Sequence, residues 1–430
     1  MQRQYLCIDF KSFFASVECV ERALDPMKAK LVVADPDRSE GTVCLAVSPA
    51  LKALGVKNRC RMYEIPKNID FIQAPPRMKL YIEYSAEAYG VYLKYVSKDD
   101  IYVYSIDEAF LDVTDYLSMY KMTARELGEK IRQDILKTTG IPAAFGVGTN
   151  LYLAKIALDI TAKHSADFVG ELDEEKYKRE LWDHTPLTDF WRIGAGMAKR
   201  LESRGIYTMR GIANASYETL KDIFGVDYEI ALDHANGIEP CTIADIKAYK
   251  VQSHSLNSGQ VLSRDYSYKE AETIVKEMAD NLCLELFDSG LVTKSVTLSV
   301  VYSGQERLAQ RATERLETYT NSAQTLMACA QRLLSKAMDP RAYIRKVNIV
   351  FNDVIEEGFA QMSLFSSEPI TNKERRQMQA VSSIKKRFGK NAILRGLDLK
   401  SEATMRERNA QIGGHKSGSD GFKREAEDEK

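Results

Sequence analysis

Apolar residues along the first 170 positions fall into short runs that alternate with amphipathic segments of helical period. Runs of β-branched, aromatic and other apolar residues predict strands, and apolar spacings of three and four predict helices. The predicted strands cover residues 5–8, 31–34, 42–47, 101–104 and 143–147. One predicted helix starts near Ser12, and the others cover residues 48–54, 78–96, 124–138 and 151–163. Residues 22–78 form a β-rich insert, so we expect an α/β or α+β sheet that carries an insertion.

The pattern changes after about residue 171, where short helices are separated by glycine-containing turns. It changes again over residues 249–353, where it reads strand, helix, strand, helix, strand. The clearest strands are residues 296–302 and 346–351, and the helices cover 271–286 and 325–338. The sequence therefore predicts a multidomain α+β protein in which a helical segment separates two sheet-containing domains.

Composition narrows the function classes only slightly. The chain has 430 residues, enough for several domains, and its 60 basic and 61 acidic residues say nothing about nucleic acid. The seven cysteines are scattered and the five histidines isolated, so neither a disulfide framework nor a zinc site is predicted. Without a signal sequence or a long apolar run, we expect a cytoplasmic protein that has no membrane segment.

The candidate chemistry lies in residues 105–112, where Asp107 and Glu108 follow a strand-like run. Two adjacent carboxylates there either sit in water at a turn or are neutralised by a divalent cation. Asp9 ends the first predicted strand in the same way. If the two strands are neighbours in one sheet, the three carboxylates converge and leave room for Mg²⁺, and two such ions suit phosphoryl displacement. Asp112 lies past the turn and is predicted to be structural.

A second candidate is the turn within residues 191–201, which places Gly194 and Gly196 at the start of a basic helix. Backbone amides at such a turn can approach a phosphate closely, and Lys199 and Arg200 follow on the helix. The turn resembles the second half of a helix-hairpin-helix DNA-binding motif. Two glycines at a helix start also serve packing or capping, so both interpretations stay open.

The apolar pentapeptide Gln-Met-Ser-Leu-Phe at residues 361–365 follows the last domain in a stretch without periodicity. It is either a docking peptide for another protein or a strand packed on its own domain. Beyond residue 366 the chain is charged and includes the basic cluster Lys385, Lys386 and Arg387. We predict a helix over residues 371–388 and disorder over the final fifteen or so residues.

Together these segments resemble the Y-family, or translesion, DNA polymerases, and within them the UmuC-like branch of Gram-positive and phage ultraviolet-damage repair proteins. Each motif alone is weak, but their order over residues 1 to about 365 is specific. The motifs are Cys-Ile-Asp-Phe at 7–10 with Phe-Phe-Ala-Ser-Val-Glu at 13–18, Lys-Ala-Leu-Gly-Val at 52–56, Ser-Ile-Asp-Glu-Ala-Phe at 105–110, Gly-Val-Gly at 146–148, Leu-Ala-Lys at 153–155, Ile-Gly-Ala-Gly at 193–196, and the pentapeptide at 361–365.

The resemblance implies an architecture of palm, fingers, helical thumb and little finger. The palm would be residues 1–21 and 79–168, the fingers 22–78, the thumb 169–240, and the little finger 245–355. Residues 356–430 would hold a clamp-binding motif and a charged, partly disordered tail. The palm sheet would be of the βαββαβ type, and the thumb would carry the helix-hairpin-helix turn, whose Gly194, Gly196, Lys199 and Arg200 would bind DNA.

The resemblance also assigns the chemistry. It makes Asp9, Asp107 and Glu108 the catalytic residues and the ligands of two Mg²⁺ ions, with the backbone carbonyl of Phe10 as a further ligand. The 3′-hydroxyl of the primer would attack the α-phosphate of a deoxynucleoside triphosphate and release pyrophosphate.

Four more residues match the nucleotide pocket of the family. Phe14 falls where an aromatic ring excludes a 2′-hydroxyl, although plain core packing is its alternative, and Phe13 is the neighbouring aromatic. Lys52 falls where the family places a positively charged side chain that binds the triphosphate. DinB-type members have Arg at this position and Tyr three residues earlier, where this chain has Pro49. Lys163 resembles the second cation. Its helix holds one residue more than the family pattern, and one residue turns a helical side chain by about 100°.

The pentapeptide resembles the motif by which bacterial polymerases bind the sliding clamp. Leu364 and Phe365 would fill an apolar pocket, Gln361 would make the polar contact, and Met362 replaces the usual Leu with little change in volume. The implied partners are primer-template DNA, deoxynucleoside triphosphates and the bacterial sliding clamp, and the resemblance allows accessory proteins of the SOS response.

The sequence thus predicts a template-directed, low-fidelity DNA polymerase that performs translesion synthesis. The main alternative is a non-catalytic, clamp-tethered DNA-binding factor that recruits other polymerases, which would be expected to lack the metal-binding carboxylates. Another palm-type two-metal enzyme, such as a nucleotide cyclase, is a further alternative. The thumb-like turn and the clamp motif argue against it.

Overall fold

The computed structural model describes residues 2–163, 165–250, 255–304, 309–359 and 372–418. The chain forms two compact units, residues 1–250 with 415–430, and residues 251–414. Each unit has a hydrophobic core of its own. The four-domain division predicted above remains a prediction, since this contact-based division is coarser.

The first unit contains most of the secondary structure. Its strands are β1 (Tyr5–Phe10), β2 (Leu31–Val33), β3 (Ala46–Val47), β4 (Ile72–Ala74), β5 (Ile101–Val103), β6 (Glu108–Asp112), β7 (Ala143–Gly148) and β8 (Val169–Leu172). Its helices are α1 (Phe13–Val20), α2 (Pro49–Ala53), α3 (Met78–Tyr92), α4 (Tyr116–Tyr120), α5 (Ala124–Thr139), α6 (Leu151–Ile156), which continues into a π-helical turn (Ala157–Ala162), α7 (Glu174–Glu180), α8 (Ala195–Glu202), α9 (Met209–Ala213), α10 (Tyr217–Phe224), α11 (Tyr228–Ala235) and α12 (Ile243–Ala248).

A five-stranded sheet in the order β5-β6-β1-β7-β8 forms the centre of this unit. All neighbours are antiparallel except β7 and β8, which are parallel. The side chains of β1 from Tyr5 to Ile8 are completely buried on both faces, which is why this strand reads as a continuous apolar run. Outside the insert, strands and helices alternate as βαββαβαβ, so the predicted mixed α+β class is confirmed, and the sheet has one strand more than the predicted βαββαβ type.

Helix α6 and its π-helical turn pack unusually close to the sheet because three glycines lie beneath them. A Cβ on Gly148 would lie 2.1 Å from the backbone nitrogen of Ala154, and one on Gly146 would lie 2.2 Å from the carbonyl oxygen of that residue. A Cβ on Gly170 would meet the carbonyl oxygen of Ala157 at 2.1 Å. Only glycine permits this backbone-to-backbone contact.

The π-helical turn explains the extra residue that the sequence places in this helix. A π-helix closes its hydrogen bonds over five residues instead of four, so one turn takes up an inserted residue without rotating the rest of the helix fully out of phase. The predicted helix over 151–163 is therefore correct in extent and wrong in its regular α period.

The insert after α1 folds around a small sheet in the order β3-β2-β4. The predicted strand over residues 42–47 is too long, because only Ala46–Val47 pairs with β2. Val43 is exposed and makes a single isolated bridge to Arg61. Helix α3, which follows, ends at Tyr92 and not at residue 96. Its tyrosines Tyr81, Tyr84 and Tyr92 are buried in the core.

The second unit also pairs one sheet with helices. Its elements are β9 (Ser255–Tyr266), α13 (Tyr268–Asp288), β10 (Leu291–Tyr302), β11 (Ala309–Thr320), α14 (Ala323–Ala337), β12 (Ile344–Asn352), β13 (Ile355–Glu356), α15 (Asn372–Phe388), α16 (Met405–Asn409) and β14 (Gln411–Ile412). The strand order is β11-β10-β12-β9, and β13 also pairs with β10. Strand β11 was not predicted, because its charged residues alternate with only partly buried ones, as is typical of an edge strand.

Most of the predicted tail folds onto this second unit. Helix α15 matches the predicted helix over 371–388, and it packs on α13. The guanidinium of Arg395 forms two hydrogen bonds to Asp280, at 2.7 and 2.6 Å, and the hydroxyl of Thr404 donates to buried Glu277 at 2.6 Å. Residues 372–410 are therefore part of this unit.

The chain then returns to the first unit through β15 (His415–Lys416). The ammonium group of Lys416 lies 2.9 Å from the carboxylate of Asp35, and the carbonyl of Ser417 accepts a hydrogen bond from the amide of Lys79 at 3.0 Å. The second unit is thus connected to the first at both of its ends. In the part of the chain that the structure describes, no helix is both long and apolar enough to cross a membrane.

The glycine contact predicts a large difference between two Gly→Ala variants. Gly148→Ala should lower the thermal unfolding midpoint, because a methyl group would push β7 and α6 apart at a cost of about 1–3 kcal/mol or more. Gly90→Ala is the matched control: Gly90 lies on α3 with nothing within 4 Å of its would-be Cβ, so alanine should be neutral or stabilise by up to about 1 kcal/mol. Equal midpoints for the two variants would contradict the contact.

Candidate active site

The candidate site lies where the end of β1 meets the start of β6. In the antiparallel register of these strands Asp9 is directly opposite Glu108. Asp107 precedes β6 in the hairpin turn from β5, and its carbonyl accepts a hydrogen bond from the amide of Phe10 at 3.1 Å. The strands are neighbours, as the sequence analysis supposed, so all three predicted carboxylates and the backbone of Phe10 come together at one end of the sheet.

Asp112 lies at the other end of β6, opposite Tyr5. Its carboxylate accepts hydrogen bonds from the amide and the hydroxyl of Thr114, at 3.0 and 2.6 Å. These bonds close a turn after the strand, so the structure places Asp112 in a local structural role away from the other carboxylates.

The carboxylates at this end of the sheet repel one another. Burial raises the pKa of Asp9 to about 8, and the nearby charges of Asp107 and Glu108 act in the same direction. A carboxylate in this position is held partly protonated at neutral pH unless a positive charge compensates for the burial and the repulsion. The end of β1 is therefore suited to a cation.

Glu108 has a partner within the protein. The ammonium group of Lys155 lies 2.7 Å from one oxygen of Glu108, and the buried thiol of Cys7 donates to the other oxygen at 3.2 Å. Burial raises the pKa of Glu108, and Lys155 opposes that effect. Lys155 also contacts Asp159 at 3.1 Å. The pKa of Lys155 is raised, because the surrounding acidic groups outweigh the effect of its own burial.

Lys155 and Cys7 also belong to the site and were not predicted from the sequence. Lys155 belongs to the Leu-Ala-Lys motif that carried the family resemblance, and a lysine on an otherwise apolar helix face was the available signal. Cys7 gives no such signal, since a cysteine within an apolar strand is an ordinary core residue.

The donor set can accept a divalent cation, although it is not a closed metal cage. Among the described residues, no group of three or more His, Cys, Asp and Glu side chains is already arranged as a metal site. Asp9 and Asp107 come together without a basic partner at hydrogen-bonding distance in the described contacts, whereas Glu108 is turned towards Lys155. A carboxylate has about four lone-pair sites, so Glu108 retains acceptor capacity beside its two present partners.

Three lysines face the carboxylates. Lys52 donates to the hydroxyl of Ser12 at 2.8 Å. Burial lowers the pKa of Lys52, and the positive charge of Lys163 lowers it further against the opposing effect of Asp9. Burial likewise lowers the pKa of Lys11, and both other lysines add to the decrease. The structure therefore brings the predicted cations Lys52 and Lys163 together, with Lys163 placed after the π-helical turn, 3.8 Å from Asp159.

Lys11 is a third cation that the sequence analysis did not assign. It follows Asp9 and Phe10 directly, and its ammonium group lies 4.2 Å from the ring centroid of Phe168. Its position two residues after a candidate metal ligand was the signal that could have identified it. Three half-exposed or exposed ammonium groups beside acidic side chains form a site for a polyanion.

A row of aromatic rings borders the same site. The ring centroids of Phe10 and Phe13 are 5.3 Å apart, those of Phe13 and Phe14 are 5.6 Å apart, and those of Phe14 and Tyr81 are 4.8 Å apart. Phe13 is buried, whereas Phe14 is only partly buried. Phe14 thus packs on the core with one part and remains accessible with another, which fits both interpretations that the sequence left open.

A cavity of about 360 Å³ opens between α3 and the β5–β6 hairpin. Its wall includes Phe10, Asp107 and Glu108 together with Tyr89 and Tyr92 of α3. Two of the three carboxylate residues, Asp107 and Glu108, therefore line a concave, largely apolar surface, which is the usual setting of a substrate site.

The predicted phosphate-binding turn is exposed. Gly194 caps α8, and neither Gly194 nor Gly196 has any atom within 4 Å of the position of a Cβ. Lys199 is exposed, but one guanidinium nitrogen of Arg200 donates to the carbonyl of Ile223 at 2.8 Å. The amides of the turn and Lys199 are available to a ligand, whereas Arg200 also holds two helices together.

The predicted clamp-binding residues Gln361, Met362, Leu364 and Phe365 lie outside the described residues. The docking interpretation of this pentapeptide therefore stays a prediction.

A sheet with carboxylates at its end and lysines facing them is an arrangement that suits enzymes of nucleotidyl transfer. Comparison with known proteins gives the family. Residues 8–159 match the impB/mucB/samB family, and residues 253–364 match the C-terminal domain of that family. The chain belongs to this family and is a Y-family, UmuC-like DNA polymerase. Polymerases of this family act with divalent metal ions, on DNA and nucleotides.

Two relatives that match over nearly their full length come from Bacillus subtilis. The chain is 29% identical over 421 residues to the UV-damage repair protein UvrX of Bacillus subtilis, covering 97% of this chain and 98% of the relative. It is also 29% identical over 422 residues to DNA polymerase IV 2 of Bacillus subtilis, covering 95% and 97%. Among solved structures, a Y-family DNA polymerase chimera of Dbh and Dpo4 has a TM-score of 0.63 at 22% identity, covering 82% of this chain and 99% of the other, which supports the fold.

Asp107 and Glu108 repel the charge of Asp9, so replacing Asp9 should stabilise the fold although it removes a predicted metal ligand. Asp9→Asn should raise the thermal midpoint of metal-free protein near pH 8 by the equivalent of at least about 1 kcal/mol, because the amide carries no charge to bury. The pKa of Asp9 is raised to about 8, so its ionisation opposes folding increasingly between about pH 4 and about pH 8, and the gain should shrink as the pH falls.

The matched control is Asp70→Asn, since Asp70 is exposed and distant in sequence from the site. It should leave the midpoint unchanged. Added Mg²⁺ should raise the midpoint of the wild type and have little effect on Asp9→Asn. A midpoint for Asp9→Asn at or below that of the wild type at every pH would contradict the electrostatic interpretation.

Proposed function

We propose that this polymerase performs template-directed, low-fidelity translesion synthesis through two Mg²⁺ ions bound at Asp9, Asp107 and Glu108. The observation that carries the proposal is the juxtaposition of these carboxylates with the ammonium groups of Lys52 and Lys163. One side of the site suits cations and the other suits the phosphates of a nucleotide. The UV-damage repair name of a full-length relative supports a role in the repair or tolerance of DNA damage.

Asp9, Asp107 and the carbonyl of Phe10 would hold the cations, and Glu108 would contribute through the lone pairs that Lys155 and Cys7 leave open. Divalent cations bound there supply activation of the primer 3′-hydroxyl and stabilise the charge that develops on the pyrophosphate. Lys155 fixes the orientation of Glu108 within the site. The identification of Mg²⁺ rests on the all-oxygen donor set, which is the set that this hard cation prefers.

Lys52, Lys163 and Lys11 would bind the triphosphate. Burial and the repulsion of neighbouring lysines lower the pKa of Lys11 and of Lys52, so a bound anion would stabilise the charged forms of both. The partly exposed ring of Phe14 would lie under the sugar and exclude a 2′-hydroxyl, with Phe13 behind it. Pro49 lacks the hydroxyl of the tyrosine that DinB-type members have at this position, and Lys11 would replace the phosphate contact of that hydroxyl.

DNA would be held by phosphate contacts from both units. In the first unit, the exposed amides of Gly194 and Gly196 and the side chain of Lys199 suit a phosphate, with Arg200 as a nearby charge. In the second unit, helices α13 and α14 cover one face of the sheet and leave the other face polar. Binding through phosphates should weaken as salt rises.

The small insert offers a physical reason for low fidelity. Its strands β2, β3 and β4 have only three, two and three residues, and α2 has five. So short a cover over the nascent base pair would check its geometry poorly and would tolerate a distorted template. We therefore expect insertion opposite damaged bases at a cost in accuracy.

The pentapeptide at residues 361–365 would dock the enzyme to the bacterial sliding clamp. Leu364 and Phe365 would be the apolar anchors, and Gln361 and Met362 would line the same pocket. Accessory SOS proteins remain allowed as further partners.

The catalytic assignment predicts that Asp107→Asn abolishes synthesis. Wild-type protein with Mg²⁺ should extend a primer on an undamaged template and past lesions in a panel of damaged templates. Asp107→Asn should reduce extension at least about 10³-fold, because it weakens the hold on the cations, and should bind DNA almost normally. Asp112→Asn is the matched control on the same hairpin and should retain activity.

Two outcomes would overturn this assignment. Extension by Asp107→Asn at the wild-type rate would place the chemistry elsewhere. Specific DNA binding without any synthesis by the wild type, with clamp supplied, would favour the non-catalytic recruiting factor instead.

The clamp assignment predicts a selective loss. Changing both Leu364 and Phe365 to Ala should remove the stimulation of primer extension by the sliding clamp and leave the unstimulated rate unchanged, because only the anchors of the docking peptide are lost. Phe388→Ala, which removes an exposed aromatic ring of α15, is the control and should keep the stimulation. A lower thermal midpoint for the double variant, with clamp stimulation intact, would show that the pentapeptide packs on its own domain.

A further inference from the structure

Glu18 is a fully buried carboxylate of α1 and is not one of the three proposed metal ligands. The guanidinium of Arg77 forms two hydrogen bonds to it, at 2.9 and 2.8 Å, and Arg22 also pairs with it. The hydroxyl of Tyr81 donates to the same carboxylate at 2.8 Å. A buried charge with this many partners has little freedom to move, because losing one partner leaves the charge poorly compensated.

This network ends on the ring of Phe14. The ring of Tyr81 is completely buried, and its centroid lies 4.8 Å from that of Phe14 at an interplanar angle of 36°. Glu18 and Phe14 both belong to α1, four residues apart, so the carboxylate holds the tyrosine against the same helix that carries Phe14. Because the ring of Tyr81 is buried and held by Glu18, it gives Phe14 a support that cannot retreat.

We propose that Tyr81 and Glu18 are positioning residues for sugar selection, and that Arg77 keeps Glu18 charged and in place for this role. The inference rests on the proposed function of Phe14 as the residue that excludes the 2′-hydroxyl. Exclusion of a single oxygen atom by an aromatic ring requires that the ring does not shift by a fraction of its thickness. The support behind the ring therefore contributes to selectivity together with the ring itself.

A neighbouring pair of residues separates this role from simple anchoring of α3 on α1. Tyr84 lies three residues after Tyr81 on α3. Its hydroxyl donates to the carboxylate of Glu21, which directly follows α1, at 2.8 Å, the same distance as between Tyr81 and Glu18. Tyr84 anchors the helix through the same chemistry, but the described ring contacts of Phe14 are with Phe13 and Tyr81. The two tyrosines thus form a matched pair that differs in the contact with Phe14.

The test compares Tyr81→Phe with Tyr84→Phe. Each variant removes one hydroxyl and keeps the ring, so both are expected to fold. Glu18→Gln is a poorer choice, since it removes the charge that two arginines share. The readout is the ratio of kcat/KM for a deoxynucleotide to kcat/KM for the matching ribonucleotide, measured in single-nucleotide addition with the full chain.

Tyr81→Phe should lower this ratio about three- to tenfold, because the loss of one buried hydrogen bond lets the ring at position 81, and with it the ring of Phe14, move more freely. The deoxynucleotide kcat/KM should stay within about twofold of the wild type, and Tyr84→Phe should leave the ratio unchanged. Phe14→Ala should lower the ratio more strongly. Adding Tyr81→Phe to Phe14→Ala should cause no further loss, because residues that act through one another are not additive.

The outcomes distinguish the inference from the proposal beneath it. An unchanged ratio for Phe14→Ala would overturn the proposed role of Phe14. A changed ratio for Phe14→Ala together with an unchanged ratio for Tyr81→Phe would overturn only the positioning role. Equal losses in Tyr81→Phe and Tyr84→Phe, or fully additive effects in the double variant, would also overturn it, because they would show general loosening of α3.

Discussion

Strand β1 is held between β6 and β7 in antiparallel register, with Asp9 opposite Glu108 on one side and opposite Ala144 on the other. A slip of one residue in this pairing would turn every side chain of the strand to the other face of the sheet. Two features prevent it: Tyr5 to Ile8 are buried on both faces, and the glycines of β7 bring α6 down onto the sheet. The same α6 delivers Lys155 to Glu108, so the packing that fixes the sheet also fixes the site.

Electrostatic cost is concentrated at the end of the sheet. Asp9 is partly buried beside two further carboxylates, and this arrangement would weaken the fold if it served no purpose. Lysines are placed around the acidic cluster and not within it, except for Lys155 on Glu108. The arrangement suits a site whose charges are balanced only when cations and a polyanion bind together, and perturbed carboxylates in a cleft are a general sign of such sites.

Much of the fold and site could be predicted from the sequence. The apolar runs of β1 and β7 and the amphipathic α5 gave the sheet and its helices, and the adjacent acids Asp107 and Glu108 gave the site. The rest depends on long-range contacts that no local pattern records. Strand β11 is an edge strand rich in charges, and Lys155 finds Glu108 only through the glycine contact. The position of Lys163 depends on a π-helical turn, which the regular helical period does not predict.

The central claim is that nucleotide addition occurs at the carboxylates beside Phe10 and requires divalent cations there. The most direct measurement is the rate of single-nucleotide addition as a function of Mg²⁺ concentration, for wild type and Asp9→Asn on the same primer-template. The account predicts saturable dependence on Mg²⁺ for the wild type and no addition by Asp9→Asn at any concentration. Addition by the wild type after all divalent cations are chelated, or addition by Asp9→Asn at the wild-type rate, would contradict it.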